Sequence, residues 1–324
     1  MQVLLYAGFV LLILALLAFD LGVFNRKPGA VSVSGALAWA AVWVGLALAF
    51  NVAVYFIYRN QLFGIGLAEH HCKDGWTAAK LFFLGYLVEE SLSLDNIFVM
   101  AVILDYFRVP PAYRHRTLFW GIVGALVMRG AMIAAGAVLI HKFEWVIYLF
   151  GALLVFTAIK MLLAHDRQTD PGRNPLARLA RRFYPVSADF EGQKFFTWQA
   201  GRRAITPLFL ALLVIESSDV LFAIDSIPAI FAITRDPFIV YTSNMFAILG
   251  LRSLYFALAA MLDRFHYLRY SLVFLLAFVG VKMLLSNLVP IDHNVALVVI
   301  CTILAIGVVA SLVRPRPPVP TQTP

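Results

Sequence analysis

The sequence predicts an all-α, polytopic membrane protein of about nine transmembrane helices, and three observations carry that prediction. Of the 324 residues, 62% are hydrophobic and only 14% charged, with a mean hydropathy of +0.85. Soluble domains are about a quarter charged, because their surface must meet water. The apolar residues also fall in runs of about 20 or more, the length a helix needs to cross a hydrocarbon core. Finally, the basic residues collect in alternate loops between those runs.

The runs lie at 3–24, 33–57, 77–104, 117–140, 143–164, 204–233, 238–262, 269–289 and 294–313. The first lacks a basic leader and an A-x-A cleavage site, so it reads as a spanning helix rather than a signal peptide. One set of alternate loops holds Arg26, Lys27, Arg108, Arg114, Arg116, the basic loop 165–203, Arg264, Arg269, Arg314 and Arg316. The opposite set holds only Arg59, Lys73, Lys142 and Arg235. The positive-inside rule puts the first set in the cytoplasm, with the N-terminus outside and the C-terminus inside. The net charge of +8 is then a topology signal and does not point to nucleic acid. The two cysteines, Cys72 in a polar loop and Cys301 in a span, support neither a disulfide framework nor a CxxC metal site.

Loop 165–203 is the one long hydrophilic stretch between spans, punctuated by Pro171, Gly172, Pro175 and Pro185. It reads as a solvated cytoplasmic connector held near anionic lipid, with Arg181 and Arg182 in a membrane-surface segment. The Pro-rich tail 315–324 is predicted to be disordered.

An internal repeat organises the rest. Tyr148–Leu163 resembles Tyr270–Leu285, with Lys160 matching Lys282. At nearly the same offset Arg129 matches Arg252, and Asp95 and Phe98 match Asp219 and Phe222. Spans 3–5 (repeat 1, 77–164) thus correspond to spans 6–8 (repeat 2, 204–289). A repeat with an odd number of spans must be inverted in the membrane, an arrangement typical of secondary transporters with a site near mid-bilayer.

The two repeats carry the unusual residues. The third span contains Glu89, Glu90, Ser91, Ser93, Asp95 and Asn96; the sixth contains Glu216, Ser217, Ser218, Asp219, Asp225 and Ser226, followed by Pro228. A carboxylate at the centre of a spanning helix costs about 2.5–3.5 kcal/mol, so six uncompensated would cost on the order of 15 kcal/mol. Arg129 and Arg252 can neutralise some as buried ion pairs, but two arginines cannot neutralise six acids. Cations or protons must make up the difference. Carboxylate, amide and hydroxyl oxygens without His or Cys are hard ligands, suited to Mg²⁺, Ca²⁺ or Mn²⁺.

At about 100° per residue, Glu89, Ser93 and Asn96 share one stripe, with Ser91 and Asp95 on the next. In the sixth span Asp219 and Ser226 align, Glu216 stands about 60° away and Asp225 faces the far side. A straight helix cannot bring all these acids to one ion. Pro228 either breaks the helix and re-aims Asp225 or is a plain kink. Asn244 is either a ligand or interhelical glue. Asp20 and Asn51 read as caps or interfacial anchors. Glu69, His70, His71 and Asp74 read as a solvated outer loop, with metal collection as the alternative.

The stretches 85–99 (GYLVEESLSLDNIFV), 216–234 (ESSDVLFAIDSIPAIFAIT) and 236–256 (DPFIVYTSNMFAILGLRSLYF) resemble the signatures of the TerC family of membrane proteins, Alx-like members above all. FDLGVFNR (19–26) and YLFGALLVFTAIKMLLAH (148–165) are similar too, so the resemblance covers nearly the whole chain. It implies manganese(II) export across the bacterial inner membrane, within a superfamily that includes lysine exporters. It also implies that Glu89, Asp95, Asn96, Glu216, Asp219 and Asp225 are the acidic-motif positions that meet the metal, with Asn244 and Arg252 in a supporting segment. Glu90 departs from the family pattern by adding an acid.

The reading is therefore a transporter and not an enzyme, without a resident cofactor, whose partners are a divalent cation, protons and the bilayer. Three other classes compete with it: an intramembrane aspartyl protease using Asp95 and Asp219, a metal-responsive membrane stress protein that does not transport, and an amino-acid exporter.

Overall fold

The computed structural model describes residues 2–24, 33–65, 72, 74–163, 171–199, 201–258, 267–286, 288 and 291–313. The expectations for Glu69, His70, His71 and the tail 315–324 lie outside them. Among the described residues nine long helices follow one another: α1 Gln2–Phe24, α2 Val33–Arg59, α3 Gly75–Tyr106, α4 Pro111–Lys142, α5 Val146–Leu163, α7 Pro207–Phe231, α8 Pro237–Leu258, α9 Leu268–Leu284 and α10 His293–Val313. A short helix, α6 (Pro175–Phe183), lies between α5 and α7.

The chain is a polytopic helical membrane protein: α1, α2, α4, α5, α7 and α10 are each long and apolar enough to cross a membrane. The other three long helices stop short of that for evident reasons. α3 carries Lys80 and four acids, α8 carries the polar run Thr242–Asn244 and Arg252, and α9 is 17 residues long. Large apolar side chains cover the outside of the bundle, Leu11, Val127, Phe156 and Phe274 among them, each more than 60% exposed. Only an apolar solvent makes such a surface stable.

Local chemistry sets the helix ends. Asp74 caps α3 by accepting from the backbone N–H of Thr77 at 3.0 Å, and that bond holds its carboxyl below the usual aspartate range. Thr206 caps α7 ahead of Pro207, and Asp236 caps α8 ahead of Pro237, accepting from Phe238 N at 3.1 Å. Asp236 also accepts from Tyr58 Oη at 2.8 Å and from Cys72 N at 3.0 Å, tying α2 and the loop before α3 to the start of α8.

Packing is close where glycines stand. A Cβ on Gly85 of α3 would lie 2.7 Å from Ser243 Oγ of α8, and one on Gly250 would lie 3.8 Å from Glu90 Oε1. Both contact points advance together, so α3 and α8 run parallel. α4 and α7 are parallel as well, Gly121 meeting Ile215, Gly124 meeting Glu216 and Gly136 meeting Phe231. α5 and α9 are antiparallel and touch backbone to backbone: a Cβ on Gly280 would sit 2.9 Å from the carbonyl of Gly151. α2 flanks α3 and α8, and α10 lies against α9.

The described part of the segment expected to be a plain connector, 171–199 and 201–203, is structured. Asn174 caps α6 with bonds from Leu176 N and Ala177 N, and its amide donates to Ser217 Oγ of α7 at 2.6 Å. The hairpin of β1 (Phe196–Gln199) and β2 (Arg202–Ile205) follows, turning at Gly201 with φ +72°. Short polar elements are hard to read where no long apolar periodicity marks them. On α6, Leu176, Leu179 and Phe183 are exposed beside Arg178, Arg181 and Arg182, the composition of a membrane-surface helix.

Candidate cation site

The buried polar residues gather where α3, α4, α7 and α8 pack. The α3 stripe is oriented as helical geometry dictates: Glu89, Ser93 and Asn96 are all buried, while Ser91 donates to its own helix at the carbonyl of Leu87, 2.6 Å away. On α7, Asp219 and Ser226 align and meet the same partner. Arg129 of α4 donates from Nε to Asp219 Oδ2 at 3.1 Å, from Nη2 to Asp219 Oδ1 at 2.8 Å, and from Nη1 to Ser226 Oγ at 3.4 Å. Its Nη1 also ion-pairs with Glu89 Oε1. One guanidinium, wholly buried, thus joins α3, α4 and α7.

Arg252 of α8 does not take an acid from either cluster. It ion-pairs with Asp20 of α1, and both side chains are buried. Asp20 is therefore neither a cap nor an interfacial anchor, and sequence reasoning missed it. Its signal was available, an acid set in an apolar helix, but the count of acids stopped at the two repeats. With Asp20 included the imbalance of charge grows: Arg129 serves Glu89 and Asp219, Arg252 serves Asp20, and Glu90, Asp95, Glu216 and Asp225 remain.

These four are dispersed. Glu216 rests over Gly124 of α4, where a Cβ would collide with its carboxylate. Glu90 faces Gly250 and Trp43. Asp225 lies on the far side of α7, as the geometry required, and accepts from Thr157 Oγ1 of α5 at 2.9 Å with the charge of Lys160 nearby. α7 runs unbroken through Pro228 and ends three residues later at Phe231, so of the two readings of Pro228 the break that would re-aim Asp225 does not occur. The proline removes the backbone donor that would reach the carbonyl of Ile224, but the helix continues through it. Asp95 makes no hydrogen bond or ion pair among the described residues, and the charge acting on it is that of Arg269. Asp95 and Asp219 make no bond to each other, so they do not form the proton-sharing dyad of an aspartyl protease.

Several buried polar atoms here have no hydrogen-bond partner among the described residues: Ser93 Oγ, Asn96 Oδ1, both side-chain polar atoms of Asn244, Glu90 Oε2 and the second oxygen of Glu89. Such groups are rare in native proteins, because leaving one unmade costs about 1–3 kcal/mol. All but the Asn244 nitrogen are oxygens. Among the described residues no three His, Cys, Asp or Glu side chains converge to hold a metal. A cation seated here would have to take amide and hydroxyl oxygens along with carboxylate, a hard and incomplete donor set.

Comparison with known proteins places the chain among membrane proteins. The chain is 47% identical over 312 residues to an uncharacterised membrane protein of Myxococcus xanthus, covering 96% of this chain and 93% of that one. It is 44% identical over 302 residues, covering 93% and 92%, to Alx of Escherichia coli K12, which is named as a proposed membrane-bound redox modulator. An uncharacterised membrane protein of Rickettsia bellii is 38% identical over 306 residues, covering 94% and 96%. No solved structure matches. Residues 74–317 match the family described as integral membrane protein TerC, a span that takes in every residue of the site except those on α1 and α2. The chain belongs to the TerC family of integral membrane proteins.

Proposed function

We propose that this protein exports manganese(II), or a similar hard divalent cation, from the bacterial cytoplasm by proton-coupled alternating access, with nine spans crossing the inner membrane. The observation that carries the reading is the set of buried oxygens on α3 and α8 without a hydrogen-bond partner among the described residues (Ser93, Asn96, Asn244 and the second oxygen of Glu89), with Asp95 on the neighbouring stripe of α3. A fold that needed these groups only for stability would have paired them. An ion that visits and leaves needs oxygens that stand open between visits.

The arrangement of helices supports two inverted repeats, α3–α5 and α7–α9. Exchanging α3 with α7, α4 with α8 and α5 with α9 turns the parallel pair α3–α8 into the parallel pair α7–α4. The same exchange leaves the antiparallel pair α5–α9 unchanged. Rocking one unit against the other around the acids would expose them to each side in turn. Export against a negative-inside potential costs about 4.6 kcal/mol per 100 mV for a divalent ion. Protons moving inward on the surplus carboxylates can supply that.

Redox modulation, the role in the Alx relatives' name, has less to rest on in this chain. Burial pushes the Cys72 thiol up to about 12, with Asp236 and Asp74 adding to the shift, so its reactive thiolate is scarce.

The test is manganese(II) flux in proteoliposomes for the wild type, Asp95→Asn and Asp219→Asn, with and without an imposed proton gradient. Saturable, gradient-driven flux that either substitution abolishes is the expected result. Well-folded wild type that carries no manganese would overturn the reading.

A further inference from the structure

We propose that a cavity at the end of the bundle opposite α6 and the β-hairpin, where α7 and α9 finish and α10 starts, binds a phosphate group, carried by an anionic phospholipid or by the free ion. None of its lining residues belongs to the acidic site between the repeats, so the proposal stands whether or not the protein exports manganese.

The cavity measures about 380 Å³, within the range of small-molecule sites. Leu81, Ile147, Phe231 and Ile291 make one part of its wall, and Lys282, Ser286, His293 and Arg235 another. A few polar groups converging in a largely apolar wall are what fix the orientation of a ligand. Two of them carry buried atoms with no hydrogen-bond partner among the described residues, Ser286 Oγ and His293 Nδ1. Native proteins rarely leave such atoms unpaired, so they mark a place where a partner is missing. Lys282 likewise makes neither a hydrogen bond nor an ion pair among the described residues. Lys282 can only donate, and Ser286 and His293 are able to, so the partner they share is an acceptor.

Charge gives that acceptor its sign. Two cations, Lys282 and Arg235, line the cavity, and no carboxylate does. The acid acting on Lys282 is Asp292, which is exposed and already accepts from the Asn294 amide at 2.9 Å. Asp236, next to Arg235 in sequence, is taken by Tyr58 Oη and by the N–H groups of Cys72, Phe238 and Ile239. A lysine ammonium is a compact point charge well suited to phosphate. Lys282 stands in the last turn of α9, and the end of a spanning helix is the depth at which headgroup phosphates lie. The apolar wall leaves room beside the phosphate for the glycerol and first methylenes of a lipid.

The experiment uses the full-length chain in detergent as wild type, Lys282→Gln and Ser286→Ala. Lys142→Gln is the control, an exposed lysine at the same end of the bundle. Bound phosphatidylglycerol is counted by native mass spectrometry, with phosphatidylcholine as the neutral lipid. Inorganic phosphate is titrated separately against the melting temperature. Wild type should hold one phosphatidylglycerol at least about fivefold more tightly than phosphatidylcholine. Lys282→Gln should weaken that binding about tenfold and Ser286→Ala about threefold, with Lys142→Gln unchanged. Inorganic phosphate that raises the melting temperature of wild type but not of Lys282→Gln, with no preference between the lipids, would assign the site to the free ion. An equal loss in Lys142→Gln means diffuse attraction to surface charge and overturns the proposal. So does wild type that binds neither probe, or both lipids alike without a phosphate effect. A lysine kept for its pairing with Asp292 would make Lys282→Gln melt lower with phosphatidylglycerol binding unchanged, which overturns it too.

Discussion

Arg129 holds Asp219 by two parallel hydrogen bonds, Nε to Oδ2 at 3.1 Å and Nη2 to Oδ1 at 2.8 Å, while the same guanidinium ion-pairs with Glu89. Three helices therefore depend on one side chain that no solvent reaches. Arg129→Gln strands two carboxylates in the interior, a change that costs about 3–5 kcal/mol. The apparent melting temperature in detergent should fall by on the order of 10 °C. Arg129→Lys keeps the charge but loses the fork, and should fall between the two. Melting of Arg129→Gln at the wild-type temperature would mean the pair is dispensable.

Asn244 separates stability from function. Its amide is fully buried and neither polar atom has a partner. Asn244→Leu, close in volume, should therefore raise the melting temperature, since the unmade bonds cost about 1–3 kcal/mol. Manganese flux should fall at the same time. A lower melting temperature would instead identify Asn244 as interhelical glue.

What could be read from the sequence depended on the period of the signal. The long helices were legible because about 20 apolar residues announce a span whatever surrounds them. The aligned faces of Glu89, Ser93 and Asn96, and of Asp219 and Ser226, were legible because helix geometry alone fixes them. Partner choice was not. Nothing in the residues around Arg252 says that its partner is Asp20, because that is decided by where α1 docks. The cap at Asn174 and the hairpin at Gly201 were missed for a different reason, since short polar elements have no core-facing period to betray them. Pro228 left two readings open, since the residues beside a proline do not say whether a helix breaks at it or runs through; α7 runs through.

Cys72 offers a pH readout. Its thiol is pushed up to about 12 by burial, then by Asp236 and Asp74. A raised pKa keeps the neutral thiol across the working range, and thiolate appears only as pH climbs toward 12. In a Cys301→Ser background, alkylation by iodoacetamide at pH 7 should run at least about a hundredfold below an ordinary thiol. The rate should still be rising at pH 10, where an ordinary thiol with a pKa of about 8.5 has levelled off. A plateau by pH 9 would show that Cys72 is open and reactive, and would reinstate a redox role.

Gly280 marks where α5 and α9 come closest. Its Cβ position lies 2.9 Å from the carbonyl of Gly151 and 2.9 Å from Val155 Cγ2, so one neighbour is backbone and cannot swing aside. Gly280→Val must push the helices apart, and overpacking of this kind costs about 1–3 kcal/mol. Gly45→Ala supplies the control, since nothing lies within 4 Å of its added methyl and helix propensity favours alanine by about 1 kcal/mol. The expected pattern is a lower melting temperature for Gly280→Val and an unchanged or higher one for Gly45→Ala. Like α3–α7 and α4–α8, the α5–α9 pair maps onto itself when the two units are exchanged, so it lies on the proposed axis between them. Separating it should slow manganese flux more than the loss of folded protein accounts for. Flux that merely tracks the folded fraction would place the moving interface elsewhere, at α3–α8 and α4–α7.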